Sequence, residues 1–172
     1  MSTRHIHRGF TLAEMLAVVV ILGLLSAVVL PQLGNSDDSK VASASRELVA
    51  DLLYAQSCAI ATGRMRYVVF DAVRGKYAVM DSLDPPGVIL HPVEKAPYEV
   101  VIGKGPLQGV CASVIDFDKQ TTLAFDALGT PYACPPPPHA PSPMNAGSIV
   151  LACGRAVRTI CVEPMSGMIT VR

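Results

Sequence analysis

The chain has 172 residues, 51% of them apolar, and its 14 Lys and Arg balance 14 Asp and Glu at a formal net charge of zero. That length holds one domain with a real core, and a neutral balance excludes a strong field for nucleic acid or anionic lipid. The cysteines, Cys58, Cys111, Cys134, Cys153 and Cys161, form no C-x-x-C pair, which argues against a zinc or thioredoxin-like site.

The segment before Phe10 carries Arg4, Arg8, His5 and His7 and no acid. Removing Arg4 and Arg8 leaves the rest of the chain with about two more acids than bases. From Met15 to Ser36 no side chain is charged. As a helix, Phe10 to Leu30 would be roughly 32 Å long, close to the hydrocarbon thickness of a bilayer. An uncharged run of that length argues against a buried soluble helix. The basic flank predicts a cytoplasmic N-terminus and an exported remainder. A cleaved signal peptide is the rival, with "STRHIHR" as its basic region and a cleavage site near "LSA". Against it, the run outlasts a typical signal core, and Glu14 interrupts its start, where a carboxylate gains nothing.

Pro31 lacks a donor N–H and clashes with the preceding turn, so a kink is expected there, loosened further by Gly34 and Asn35. "SDDSKVASASRELVADLLYAQSCAIATG" restores helical periodicity. Val41, Ala44, Leu48, Leu52, Ala55 and Ala59 make one stripe, which Val49, Leu53 and Ile60 widen. Asp37, Asp38, Lys40, Arg46, Glu47 and Asp51 fill the other faces. The apolar side should lie on a sheet, and Gly63 should cap the helix.

Beyond Gly63 the pattern turns to strands. "RMRYVVFDAVRGKYAVMDS" predicts two about a turn at Arg74 and Gly75. "VILHPVEKAPYEVVIGKGPLQGVCASVIDFD" predicts two or three more, broken by Pro92, Pro97 and Pro106. "TTLAFDALGTPYAC" is a strand followed by a turn at Asp126 to Gly129. "PPPPHAPSPMNAG" reads as a loop, part of it polyproline. "GSIVLACGRAVRTICVEPMSGMITVR" ends the chain with a hairpin and a last strand, separated by Gly154 and Gly167.

"RGFTLAEMLAVVVILGLLSAVVLP" resembles the N-terminus of the type IV pilin and pseudopilin superfamily, in prepilin form. That resemblance implies cleavage between Gly9 and Phe10 by a prepilin peptidase and N-methylation of Phe10. It makes Glu14 and Pro31 the family's assembly positions. An unpaired carboxylate in lipid costs about 2–3 kcal/mol near a helix centre and less near its end. The family arrangement pairs Glu14 with the new α-amine of a Phe10, on a neighbouring or the same subunit. The helix "SRELVADLLYAQSCAIATGRMRYVVF", the strand and turn "LAFDALGTP" and the C-terminal stretch are similar to the GspH/FimT group of minor pseudopilins and minor pilins. The fold class implied is α+β: a long N-terminal helix, transmembrane in its first half and kinked near Pro31, packed on a small antiparallel β-sandwich. The divisions expected are a cleaved leader over 1–9, a transmembrane half over 10–33, an amphipathic half over 34–63 and an exported β-rich domain over 64–172. The loop Pro135–Pro143 departs from the group, as an insertion or a partner surface.

Outside the cytosol one or two disulfides are expected, with a thiol left over and the pairing open. The alternative is that some cysteines serve as small buried hydrophobes. No catalytic set emerges. His91 and His139 sit beside prolines, no G-x-S-x-G is present, "GKGP" at Gly103 lacks a phosphate loop's spacing, and Cys134 with His139 lacks a second ligand pair. No enzyme activity, metal or cofactor is expected. Arg155 and Arg158 in "CGRAVRTIC" resemble a basic DNA-uptake motif of some FimT-like proteins, with one residue too many between them. Two arginines on a neutral domain are a thin basis for DNA. The expectation is a minor pilin-like structural subunit of a type II secretion pseudopilus or type IV pilus that helps prime or cap the filament. Its partners would be other pilin-like subunits, the prepilin peptidase, the inner-membrane assembly platform and membrane lipid, without nucleic acid. A DNA-binding minor pilin and a plain exported domain behind a signal peptide are the alternatives.

Overall fold

The computed structural model describes residues 11–29 and 36–172. Two compact units divide the chain, residues 1–36 and 37–172. The first contains helix α1, Leu12–Val29. Its apolar side chains are exposed on every face described, from Leu12 to Leu25. Among the described residues no helix is long and apolar enough to cross a membrane. Phe10, Leu30 and Pro31, and with them the expected kink, lie outside the described residues.

Helix α2, Ser36–Thr62, buries Val41, Ala44, Leu48, Leu52, Ala55 and Ala59, the stripe that 3.6-residue periodicity predicts. Val49 packs partly against the core. Leu53 and Ile60, expected to widen the stripe, are 44% and 52% exposed; at 3.6 residues per turn both lie more than about 100° round the helix from the stripe's centre and so face away from it. Ser45 shares the buried face, its hydroxyl satisfied by donating to the Val41 carbonyl at 2.7 Å, an i to i−4 bond that conceals a polar group within an apolar stripe. At the C-terminus Gly63 adopts φ 63° and the Arg64 N–H reaches back to the Ala59 carbonyl at 3.3 Å. This is a Schellman cap, which glycine accommodates because it has no Cβ to clash.

The strands are β1 Arg66–Asp71, β2 Lys76–Leu83, β3 Pro86–Val88, β4 Glu99–Val101, β5 Cys111–Phe117, β6 Thr122–Phe125, β7 Pro131–Ala133, β8 Ser142–Pro143, β9 Gly147–Cys153, β10 Ala156–Val162 and β11 Ile169–Val171. One sheet runs β3-β2-β1-β6-β7-β8 with β4 also paired to β2; the other runs β11-β10-β9-β5. The ladders are antiparallel. The turn at Gly75 and the turn from Asp126 to Gly129 fall where the sequence predicts them. Asp126 holds the second through its carboxylate, which accepts the Leu128 and Thr130 N–H groups at 2.9 and 2.8 Å. The proline-rich segment is not wholly a loop: Ser142 pairs with Ala133 and Pro143 with Tyr132.

The sheets and α2 share one core. Strand β9 alternates strictly, turning Ile149 and Leu151 inward. Phe70 of β1 and Phe117 of β5 meet at 5.8 Å between ring centroids, joining the two sheets. All five cysteines are unpaired, so the expected disulfides do not form in this structure. Cys134 and Cys153 are buried, and Cys134 behaves as a small hydrophobe. Burial pushes the Cys134 thiol up to about 12.

Candidate functional site

Of the residues assigned to processing and assembly, Gly9, Phe10 and Pro31 lie outside the described residues, and Glu14 lies within them. Glu14 stands in the first turn of α1. Its Oε2 accepts the Thr11 N–H at 3.2 Å and the Thr11 hydroxyl at 3.3 Å, while its own N–H donates to Thr11 Oγ1 at 3.2 Å. Two donors that the helix cannot satisfy internally are thus bonded reciprocally, the arrangement called a capping box. The reading that a carboxylate here gains nothing is corrected: it caps the helix and meets the positive end of the helix dipole. The T-x-x-E spacing of Thr11 and Glu14 is the signal that was available in the sequence.

The basic pair is divided. Arg155 is exposed at the β9–β10 turn. Arg158 Nη2 bonds Asp38 Oδ1 at 3.2 Å, joining β10 to the first turn of α2. Beside it the Cys153 thiol reaches Asp37 Oδ1 at 3.5 Å, and Lys40 pairs with Asp37 at 3.8 Å. The hairpin is therefore fastened to the start of the helix, and Arg158 serves that junction.

Midway along α2, Asp51 leaves the solvated face assigned to it. Tyr77 of β2 and Tyr98, both 2% exposed, donate their hydroxyls to Asp51, Tyr98 at 3.0 Å. Burial lifts the Asp51 carboxyl above the usual range, against the two tyrosine bonds and the nearby His91, which pull it down. The same burial, with the Asp51 charge, pushes both phenols well above the ordinary tyrosine range. Tyr98 stacks on Tyr54 at 5.4 Å and meets His91 at 4.5 Å between centroids. A cleft of about 580 Å³ opens here, with Glu47, Asp51, His91, Glu94, Glu99 and Lys104 among its walls. Burial, then the Asp51 charge, raises Glu47 as well.

One turn on, Gln56 Nε2 donates to the Gly129 carbonyl at 2.9 Å and to the Gly167 carbonyl at 3.3 Å. One amide thereby gathers the β6–β7 and β10–β11 turns onto the helix. His139 folds within its own loop, Nδ1 lying 3.2 Å from the Pro136 carbonyl. It shares a groove with Tyr67 and Cys134, but among the described residues no group of three or more His, Cys, Asp or Glu is placed to hold a metal. Periodicity offered no sign of Asp51 or Gln56, because their partners lie far along the chain.

The comparisons with known proteins agree with this architecture. Residues 4–30 match the prokaryotic N-terminal methylation motif, and residues 44–166 match the family described as type II transport protein GspH. A search of curated proteins returns no match. Among solved structures, the type IV minor pilin FimU of Pseudomonas aeruginosa is similar over 78% of this chain and 89% of its own, at 19% identity and a TM-score of 0.52. The minor pseudopilin EpsH from the type 2 secretion system of Vibrio cholerae is similar over 79% of this chain and 97% of its own, at 15% identity and a TM-score of 0.50. At those identities the two structures share a fold with the chain, a helix followed by antiparallel sheets. The family match runs through α2 and every strand as far as β10, and on that ground the chain belongs to the GspH family of type II transport proteins.

Proposed function

We propose that the chain is a precursor subunit that is trimmed, methylated and packed through its N-terminal helix into a filament, where it helps prime or cap assembly. The broad class is that of a minor pilin-like subunit of a type II secretion pseudopilus or a type IV pilus. One observation carries the reading: a methylation motif over residues 4–30 stands directly ahead of a GspH domain on the same chain. Helix α1 supports it. A helix apolar on all faces needs lipid or other helices around it, and a membrane-held filament core supplies both.

In this reading the leader is cut between Gly9 and Phe10 in the inner membrane, the N-terminus facing the cytoplasm and the β-domain exported. Cleavage creates a positive α-amine four residues before Glu14. In a low dielectric, opposite charges attract strongly, and each is costly once the other is removed. The capping box leaves Glu14 Oε1 without a bond to Thr11, so one carboxylate can both start its helix and receive an amine. Partners are other pilin-like subunits, the prepilin peptidase and the assembly platform.

The test is mass spectrometry of the N-terminus of the protein extracted from membranes that contain the peptidase. A chain beginning at methylated Phe10 is expected. A retained leader, or a start near Ala27, overturns the reading.

A further inference from the structure

The loop joining β3 to β4 is closed by a histidine ring. His91 Nδ1 accepts the N–H of Val93 at 3.3 Å and the N–H of Glu94 at 3.2 Å. A backbone N–H can only donate, so Nδ1 presents a lone pair and the ring proton sits on Nε2. Below the ring the loop has a separate base: the His91 N–H donates to the Ala96 carbonyl at 2.8 Å, and the Lys95 N–H donates to the His91 carbonyl at 3.0 Å. The tip thus depends on the imidazole, and the base on the backbone.

We propose that His91 is a proton-operated clasp: neutral, it holds the 92–94 tip shut through Nδ1, and protonated, it lets the tip go. Adding a proton turns Nδ1 from an acceptor into a donor. Two N–H groups then face a third N–H, and both bonds are lost together. The charges around the ring favour the swing that follows. Helix α2 presents Glu47 and Asp51, with Tyr54 stacked on Tyr98 below them. Tyr98 lies against the ring itself and is bonded to Asp51, as is Tyr77 of β2. The loop contributes Glu94 and Lys95; β4 contributes Glu99, already paired with Lys76 at 2.8 Å; Lys104 stands on the far wall. Carboxylates outnumber ammonium groups there, so an imidazolium gains by turning from the loop toward α2. Because His91 and Glu94 form part of the cleft wall, opening the clasp widens the cleft on that side. This inference is independent of the filament reading and survives or fails without it.

The experiment uses the full chain in detergent micelles, labelled with ¹⁵N at histidine, valine and glutamate, and followed by NMR from about pH 8 to about pH 5. At high pH the His91 ring should show an unprotonated Nδ1 and a protonated Nε2. As the ring titrates, the Val93 and Glu94 amide resonances should move with the same midpoint and lose their heteronuclear NOE. His91→Asn offers an oxygen to the same amides but does not titrate, so its loop resonances should stay fixed. The proposal is overturned by a neutral ring that carries its proton on Nδ1, by amides that stay still while the ring titrates, or by a His91→Asn loop that still moves with pH. Should that variant misfold, the ring and amide spectra of the unaltered chain decide the matter alone.

Discussion

Thr11 and Glu14 bond each other reciprocally across the first turn of α1, N–H to carboxylate and N–H to hydroxyl, both at 3.2 Å. Glu14 therefore has a local task before any neighbour arrives. Capping and charge pairing are separable, because glutamine also completes a capping box but carries no charge. Glu14→Gln is expected to be processed normally, keep the helix and fail to enter the filament. Glu14→Ala should also lose the carboxylate half of the box, while Thr11 Oγ1 still accepts the residue-14 N–H, so the helix should lose less than the roughly 0.5–2 kcal/mol of a removed N-cap. Sheared-filament fractions probed for the subunit check this; wild-type incorporation of the Gln variant would assign Glu14 to capping alone.

Asp51 is the acceptor for two buried phenols. Asp51→Ala strands both hydroxyls and should cost about 2–4 kcal/mol, read as a lowered urea midpoint. Asp51→Asn keeps an acceptor and adds a donor, and should stay within about 1 kcal/mol of wild type near pH 7.

The sign of its pH dependence follows from the same burial. The folded chain holds the Asp51 proton more tightly than the unfolded chain. Between the two carboxyl values the folded state binds more protons, so this group's stabilisation is full below the unfolded value and is lost as pH rises through the folded one. Relative to Asp51→Asn, wild type should gain stability as pH falls from neutrality toward the ordinary Asp value of about 4. A constant difference between their urea midpoints over that range would contradict this.

Gln56 ties two turns to the helix with one amide. Gln56→Ala should lower stability by about 1–2 kcal/mol, and hydrogen exchange should quicken at both Gly129 and Gly167. Gly167→Ala is a second probe. Gly167 has φ 64°, and an added Cβ would lie 2.5 Å from the Gly129 carbonyl oxygen. That variant should lose at least about 1–2 kcal/mol from the left-handed backbone alone.

Arg158 is held by Asp38, and the pair is partly exposed, so Arg158→Ala should change stability by only about 0–1 kcal/mol. With one arginine engaged and the chain neutral, Arg155→Ala with Arg158→Ala should leave DNA retardation in a gel as weak as wild type at about 150 mM salt. A salt-sensitive shift abolished in the double variant would restore the DNA reading.

What the sequence determined by itself was what depends on near neighbours. Repetition every 3.6 residues placed Val41 through Ala59 on one buried face, glycines in the left-handed region marked the ends of α2 and of the hairpins, and the T-x-x-E spacing was present though unread. Tertiary structure alone decided the rest. Asp51 became a half-buried acceptor, Gln56 a clamp and Arg158 a tie. Tyr77 lies 26 residues from Asp51, and Gly167 lies 111 from Gln56. The order in which strands join a sheet sets which such residues meet. Local periodicity carries no record of that order, because every strand alternates in the same way whichever neighbour it acquires.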